Sequence, residues 1–213
     1  MNSKENILRF FQKLVAEYGD PVNYWPQWCA KEKSIEDREK IIIGMVLVQR
    51  TTWHNANLAL KNLSQNSLLS IKKIAQLKFL NKLTQLIHSA GFYQSKPKRL
   101  FDLCSFIISE GGVSKLMKND TSDIKLKLLR LKGVGPETAD TILLYALDKP
   151  VFIIDEYTRR FVRKNNLTTE TDYLKLQQYF EINLPKNIDL YQKLHALVII
   201  CQRGVSKSTM EIV

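Results

Sequence analysis

The chain has 213 residues, an apolar fraction of 45% and a formal net charge of +11 at pH 7. That apolar fraction is ordinary for a folded protein, so disorder is excluded, and the length supports one core or two modest ones. The positive excess is larger than solubility requires and points to a polyanionic partner, nucleic acid ahead of an anionic membrane.

The first segment, "MNSKENILRFFQKL", mixes acid, amide and base with apolar residues and carries no signal-like hydrophobic stretch. Ile7, Leu8, Phe11, Leu14 and Val15 repeat at three and four, and the pattern stops near Gly19-Asp20-Pro21. An aromatic loop, "NYWPQW", follows. Ser34 with Asp37 three residues on is a weak form of the capping box, and it opens the run "IIIGMVLV", which reads as a buried central helix. Further helical patterns are predicted near 55–64, 67–78, 79–90, 96–110, 121–131, 136–147, 156–165, 172–182 and 188–201. Strand-like alternation is scarce and no low-complexity linker or repeat interrupts the chain, so the expectation is an all-α protein of about ten helices. No run approaches the ~18 apolar residues of a membrane span, and a cytoplasmic location is expected. Cys29, Cys104 and Cys201 lie far apart with no CxxC or CxxH spacing, which argues against a zinc site or a disulfide framework.

The stretch "LKGVGPETADT" joins two of these helices. Ile124, Leu128, Leu129 and Leu131 mark one buried face before it; Ala139, Ile142, Leu143, Ala146 and Leu147 mark another after it. Between them, Gly133 and Gly135 permit positive φ and leave backbone N–H groups uncovered, Val134 can plug the core, and Pro136 suits a first helical turn. Lys132-Gly133-Val134-Gly135 can therefore present bare amides to a phosphate, or serve only as the turn of an αα-hairpin. Downstream, Asp155 follows "VFII" and precedes "EYTRRFVR", the place of a helix N-cap.

"LKGVGPETADTILLYA" followed by "VFIIDEYTRRF" resembles the helix-hairpin-helix and trailing catalytic loop of the endonuclease III superfamily of DNA base-excision glycosylases. Upstream, "GMVLVQRTTWHNANLAL" resembles that superfamily's glutamine-bearing helix end, and "SAGFYQSKPKRL" its loop of the type Gly-hydrophobe-Tyr-x-x-Lys. The resemblance implies two helical domains flanking a DNA-binding cleft. Residues 30–149 would form one, with the hairpin at 121–147, and residues 1–29 plus 150–213 the other. It implies a pocket for an everted base, because a glycosidic bond inside the stack is out of reach. Gln49 then matches the gap-filling position and Phe92 a wedge; the plainer readings are an amide capping its own helix and a core ring. Asp155 matches the catalytic Asp, a fixed anion for the sugar cation that forms as the base departs, either as a general base or as an electrostatic stabiliser. The implied partner is double-stranded DNA containing a damaged base, bound by a monomer with no membrane role, nucleoid-associated if the source is bacterial.

Two departures narrow the activity. Bifunctional members carry a lysine where this chain has Glu137, and a carboxylate cannot form the Schiff base that leads to strand cleavage, so a monofunctional glycosylase is implied. Many relatives cluster four cysteines at the C-terminus for an iron–sulfur cluster, whereas only Cys201 lies there, so no cluster and no other metal cofactor is expected. A monovalent cation at the hairpin is compatible with the resemblance. "NYWP", "QRTTW" and "GFYQSKPKRL" resemble the 3-methyladenine DNA glycosylase branch, in which Trp25 and Trp53 would stack on a cationic methylpurine and Lys207 would approach the pocket. A thymine or uracil mismatch glycosylase and a non-catalytic helix-hairpin-helix DNA-binding protein are the alternatives. The adenine mismatch branch is disfavoured, because it would want an acid on the glutamine-bearing helix, where this chain has Met45.

Overall fold

The computed structural model describes residues 3–204, the side chains of the first two of these excepted. Among the described residues there are helices and turns and no strand. In chain order the helices are α1 (Ser3–Tyr18), α2 (Pro26–Cys29), α3 (Ile35–Leu47), α4 (Trp53–Gln65), α5 (Ile71–Ala75), α6 (Asn81–Leu86) and α7 (Lys96–Ser109). They continue as α8 (Val113–Leu116), α9 (Thr121–Leu129), α10 (Pro136–Thr141), α11 (Glu156–Lys164), α12 (Tyr173–Asn183) and α13 (Ile188–Arg203).

The described residues divide into two compact units, one formed by residues 3–31 with 148–204, the other by Glu32–Leu147. In the Glu32–Leu147 unit, α3 starts on the expected capping box: Ser34 Oγ accepts from the Asp37 N–H at 3.1 Å and the Asp37 carboxylate accepts from the Ser34 N–H at 3.0 Å. It is buried on all sides at Ile41, Ile42, Ile43, Val46 and Leu47, and α4, α7, α8 and the residues after α10 pack around it. In the other unit α13 has the central place, with α1, α2 and α11 laid against it. It ends at Gly204, whose left-handed φ of 65° closes the last turn.

Three predicted helices come out differently. The 67–78 pattern contracts to α5, because the chain leaves α4 through a left-handed Ser67 (φ 53°) and re-enters helix only after Ser70. The 79–90 pattern splits into α6 and a 3-10 turn, His88–Ala90, since apolar spacing of three fits both geometries. The 136–147 pattern is α-helical only to Thr141, and Ile142–Ala146 continues as a π-helix closed by the Leu147 N–H on the Ile142 carbonyl at 3.1 Å. The one-turn helices α2 and α8 are too short to display a period, and the sequence pattern did not resolve them.

Buried charge fixes the geometry around the hairpin. Arg38, 6% exposed, donates to the Ala146 carbonyl at 2.7 Å and so caps the π segment from α3. The Asp140 carboxylate is fully buried on α10 and meets the Lys125 ammonium of α9 at 2.8 Å.

Candidate DNA-binding and catalytic site

The hairpin is built as a capped helix, a short turn and a second helix. Asp120 caps α9 by accepting from the N–H groups of Ser122 and Asp123 at 2.8 and 3.0 Å. Val134 is buried with Ile124 and Leu128, while Lys132, Gly135 and Glu137 are exposed. The two glycines are not equivalent. Gly133 has a φ of +89°, which favours glycine, and a Cβ there would lie 2.5 Å from Cδ of Arg99, so a larger residue would also have to displace that side chain. Gly135 corrects the expectation of positive φ: it sits at φ −91° and ψ 177° as the N-cap of α10, a conformation open to any residue. A Cβ at Gly135 would meet nothing within 4 Å, so glycine leaves the amides of α10 bare rather than relieving strain.

Two further segments join the hairpin in the same unit. Gln49 lies in the turn after α3, and its side-chain amide donates to the Gly133 carbonyl at 2.9 Å and to Thr138 Oγ at 3.1 Å. It therefore reaches the hairpin instead of capping its own helix. The next residue, Arg50, is exposed and left-handed, with φ 53°. Phe92 is also left-handed (φ 48°) and is 50% exposed, so it is not a core ring. Lys96, one of the residues quoted in the loop motif, is 1% exposed and donates to the carbonyls of Leu47 at 2.8 Å and Ala90 at 2.6 Å. Its ammonium also lies 5.7 Å from the centre of the Phe92 ring. Burial pushes the Lys96 pKa down to about 8. Lys96 thus ties the Gln49 turn to the Phe92 loop, while Gln49 and Arg99 tie both to the hairpin.

Trp53 opens α4, half-buried, with its ring against α3 where Gly44 leaves room: a Cβ at Gly44 would lie 3.5 Å from the indole. In the other unit, Trp25 is the half-buried N-cap of α2, flanked by buried Tyr24 and Trp28. The Tyr24 hydroxyl donates to the Tyr18 carbonyl at 3.0 Å. Lys207 lies outside the described residues.

Asp155 follows an extended, buried segment that lacks strand partners. The backbone N–H of Phe152 donates to the Glu181 carboxylate at 2.9 Å, and its carbonyl accepts from the Gln177 amide at 2.5 Å, both side chains coming from α12. The Phe152 ring stacks on Phe180 at 4.2 Å and meets Tyr191 edge-on at 5.5 Å. Held in this way, the chain delivers Asp155 to the start of α11, where Oδ1 accepts from the Thr158 N–H at 2.6 Å. Its Oδ2 lies 3.5 Å from Nε2 of His195 on α13. Burial by itself would raise the carboxyl pKa, but His195 and the Thr158 N–H outweigh it and hold the pKa below its ordinary value. His195 has no part in the sequence reading; the only signal was a lone polar residue inside the buried run "LHALVII".

Among the described residues no group of three or more His, Cys, Asp or Glu side chains could hold a metal ion, and no helix is long and apolar enough to cross a membrane.

Residues 43–186 match the family model described as HhH-GPD superfamily base excision DNA repair protein. A relative from Methanocaldococcus jannaschii, named "Putative DNA repair glycosylase MJ1434", is 38% identical over 202 residues, covering 93% of this chain and 87% of the relative. Endonuclease III of Thermotoga maritima is 28% identical over a shorter stretch, 58% of this chain and 54% of its own length. Among solved structures, the Helicobacter pylori 3-methyladenine DNA glycosylase MagIII bound to 1,N6-ethenoadenine has a TM-score of 0.74 at 25% identity, with 97% of this chain and all of that chain covered. A non-covalent endonuclease III–DNA complex shares the fold with a TM-score of 0.67 at 19% identity, over 94% of this chain and 86% of that one.

Proposed function

Since the chain belongs to the HhH-GPD superfamily of base-excision DNA repair glycosylases, we propose that it is a monofunctional N-glycosylase releasing an alkylated purine, such as 3-methyladenine, from double-stranded DNA. The observation that carries the reading is Asp155, a largely buried carboxylate, 12% exposed, whose pKa is lowered and whose two oxygens face groups from two helices. As the bond between base and sugar breaks, its electron pair leaves with the base and positive charge develops on the sugar. An anion already fixed there stabilises that charge without reorganising. Water then adds to the sugar carbon and gives up a proton, leaving the free base and an abasic sugar.

The remaining residues take supporting roles. Lys132, Gly133, Val134 and Gly135 present the α10 amides to a phosphate, with room for a monovalent cation at the same turn. Gln49 fills the gap left by the everted nucleotide, and exposed Phe92 is the wedge beside it. Trp25 and Trp53 stack on the base, a preference for electron-poor methylpurines, and Lys207 joins them. The reading takes a monomer, places no iron–sulfur cluster in a chain of three cysteines, and locates the protein in the cytoplasm with the chromosome. The MagIII likeness, at full coverage of that chain, favours the alkylpurine over a mismatched thymine or uracil.

Duplexes each carrying one defined lesion, scored separately for free base and for strand breaks, test the proposal. Release of 3-methyladenine is expected; preference for thymine or uracil in a mismatch would transfer the reading to the mismatch branch. Glu137 leaves no amine at the lyase position, so borohydride is expected to trap no covalent enzyme–DNA adduct during turnover. Adduct in good yield would overturn the monofunctional part.

The glycines are expected to act on all duplexes alike, because phosphate contacts position a protein without reading bases. Gly133→Val should weaken binding to damaged and undamaged duplex by similar factors, and affinity should fall steeply with salt. Gly135→Val should do the same with less loss of thermal stability, since its torsions suit any residue. Anisotropy titrations that show a loss confined to damaged duplex would remove the hairpin from the phosphate role.

A further inference from the structure

Position 195 is an unusual place for an imidazole. His195 is 4% exposed and its neighbours Leu194, Ala196, Leu197 and Val198 are all buried, so an apolar side chain would pack there without the cost of desolvating two ring nitrogens. What the site offers in return is the Asp155 carboxylate, 3.5 Å away. One turn earlier on the same helix, Tyr191 packs edge-on against Phe152. Helix α13 therefore touches the segment before α11 twice, at its aromatic anchor and at its terminal acid. We propose that His195 positions Asp155, gripping Oδ2 from α13 while the first turn of α11 grips Oδ1. This rests on the reading of Asp155 as the catalytic anion.

A carboxylate held at one oxygen by its own helix can still rotate its other oxygen; a donor from a second helix removes that freedom. A 3.5 Å approach is long for such a bond, as catalytic hydrogen bonds often are before the substrate complex forms. The other ionisable side chains near α13 are turned to different partners. Tyr18 faces Cys201, Asp20 and Asp189 pair with Lys193, and Glu181 acts on Tyr191. Among the described residues, His195 is the ionisable side chain that acts on Asp155, and burial of the carboxyl is what it offsets.

The test compares His195→Leu and His195→Gln with the parent, and Asp155→Asn is run beside them. Gln places an amide N–H at about the reach of Nε2 without the imidazole. Single-turnover excision of 3-methyladenine is measured at saturating enzyme across pH, with spontaneous base loss subtracted, alongside affinity for undamaged duplex and thermal melting. The Leu variant is expected to lose roughly 10–100-fold in excision rate, the size of one hydrogen bond to a charged group. Its acid limb should move to higher pH, since Thr158 alone then opposes the upward push of burial on the Asp155 pKa. Gln should recover rate near neutrality without restoring the acid limb. Affinity for undamaged duplex should stay near the parent's in both.

A His195→Leu variant with the parent's rate and acid limb overturns the inference. So does a rate loss that follows lost melting temperature while the limb stays in place, because that is packing alone. If Leu does not fold, Gln decides: an unmoved acid limb in a folded Gln variant overturns the inference equally. An inactive Asp155→Asn beside a parent-like His195→Leu means that only the positioning role has failed. A fully active Asp155→Asn removes the catalytic reading, and this inference with it.

Discussion

Replacing Asp155 with Asn is expected to abolish excision while leaving the fold and the grip on DNA in place. Asn caps helices about as well as Asp, so the Thr158 N–H keeps its acceptor and α11 keeps its start. What disappears is the charge. Losing a positioned acid–base group costs about 10²–10⁴ in rate, and losing electrostatic stabilisation costs a similar factor. Binding to undamaged duplex should survive or improve slightly, because one negative charge is gone. Stability carries its own signature. A carboxyl whose folded pKa is lowered stabilises the fold above the ordinary carboxylate range, and that contribution is lost as pH falls through the lowered pKa. The melting curves of parent and Asn variant should therefore converge in acid. Excision is read in single turnover after subtracting spontaneous loss of the cationic base. An Asn variant that folds, binds and excises near the parent rate would reduce Asp155 to a cap.

The second large effect is on stability and centres on Lys125→Met. The Asp140 carboxylate is completely buried and Lys125, 19% exposed, meets it from the facing helix of the hairpin. Removing the ammonium takes the cation away from a fully buried carboxylate, and breaking a buried pair in this way costs about 3–5 kcal/mol. The double variant Lys125→Met with Asp140→Leu should recover most of that loss, because replacing both partners of a buried pair by apolar groups is often neutral. For contrast, the ion pair Lys98–Asp102 is open to solvent and joins two positions of one helix, and breaking it should change stability by about 0.5 kcal/mol or less. Denaturant unfolding of the three variants separates these cases. Equal, small losses for Lys125→Met and Lys98→Met would show that water reaches Asp140. Because α9 and α10 are the arms of the hairpin, the Lys125→Met variant should also lose duplex affinity.

The outcome at particular residues shows which kinds of information a sequence displays. The hairpin was legible because two apolar faces flank a Gly-x-Gly, and Asp155 because an acid between an apolar run and an amphipathic helix has few other places to be. Ser34 with Asp37 gave the start of α3 for the same reason: a cap is a local event. Torsion at a glycine is not local in this sense. Gly133 and Gly135 look alike in the sequence, and only the packing of Arg99 and the extended start of α10 distinguish them. The sequence marks Lys96 only as the lysine of a loop motif, and its burial shows once the carbonyls of Leu47 and Ala90 converge on it from elsewhere in the chain. His195 is similar: a single imidazole in an apolar helix has no visible purpose until a carboxylate arrives from another helix.

The π-helical turn at Ile142–Ala146 also sets the phase in which the last residues of its own helix face the rest of their unit. Each residue of an α-helix advances the side chains by about 100°, and a turn closed by a bond from the Leu147 N–H to the Ile142 carbonyl takes up one residue more than an α turn would. The helix thus carries a single-residue insertion absorbed into its own winding. Every residue from Ile142 to Leu147 is buried, so the composition would barely register the removal of one of them. The geometry would. Wound back to an α turn, the segment would rotate about 100° against α10, carrying the Ala146 carbonyl away from Arg38 while Asp140 stayed fixed to Lys125. At this point the chain is constrained by its residue count more than by its residue types.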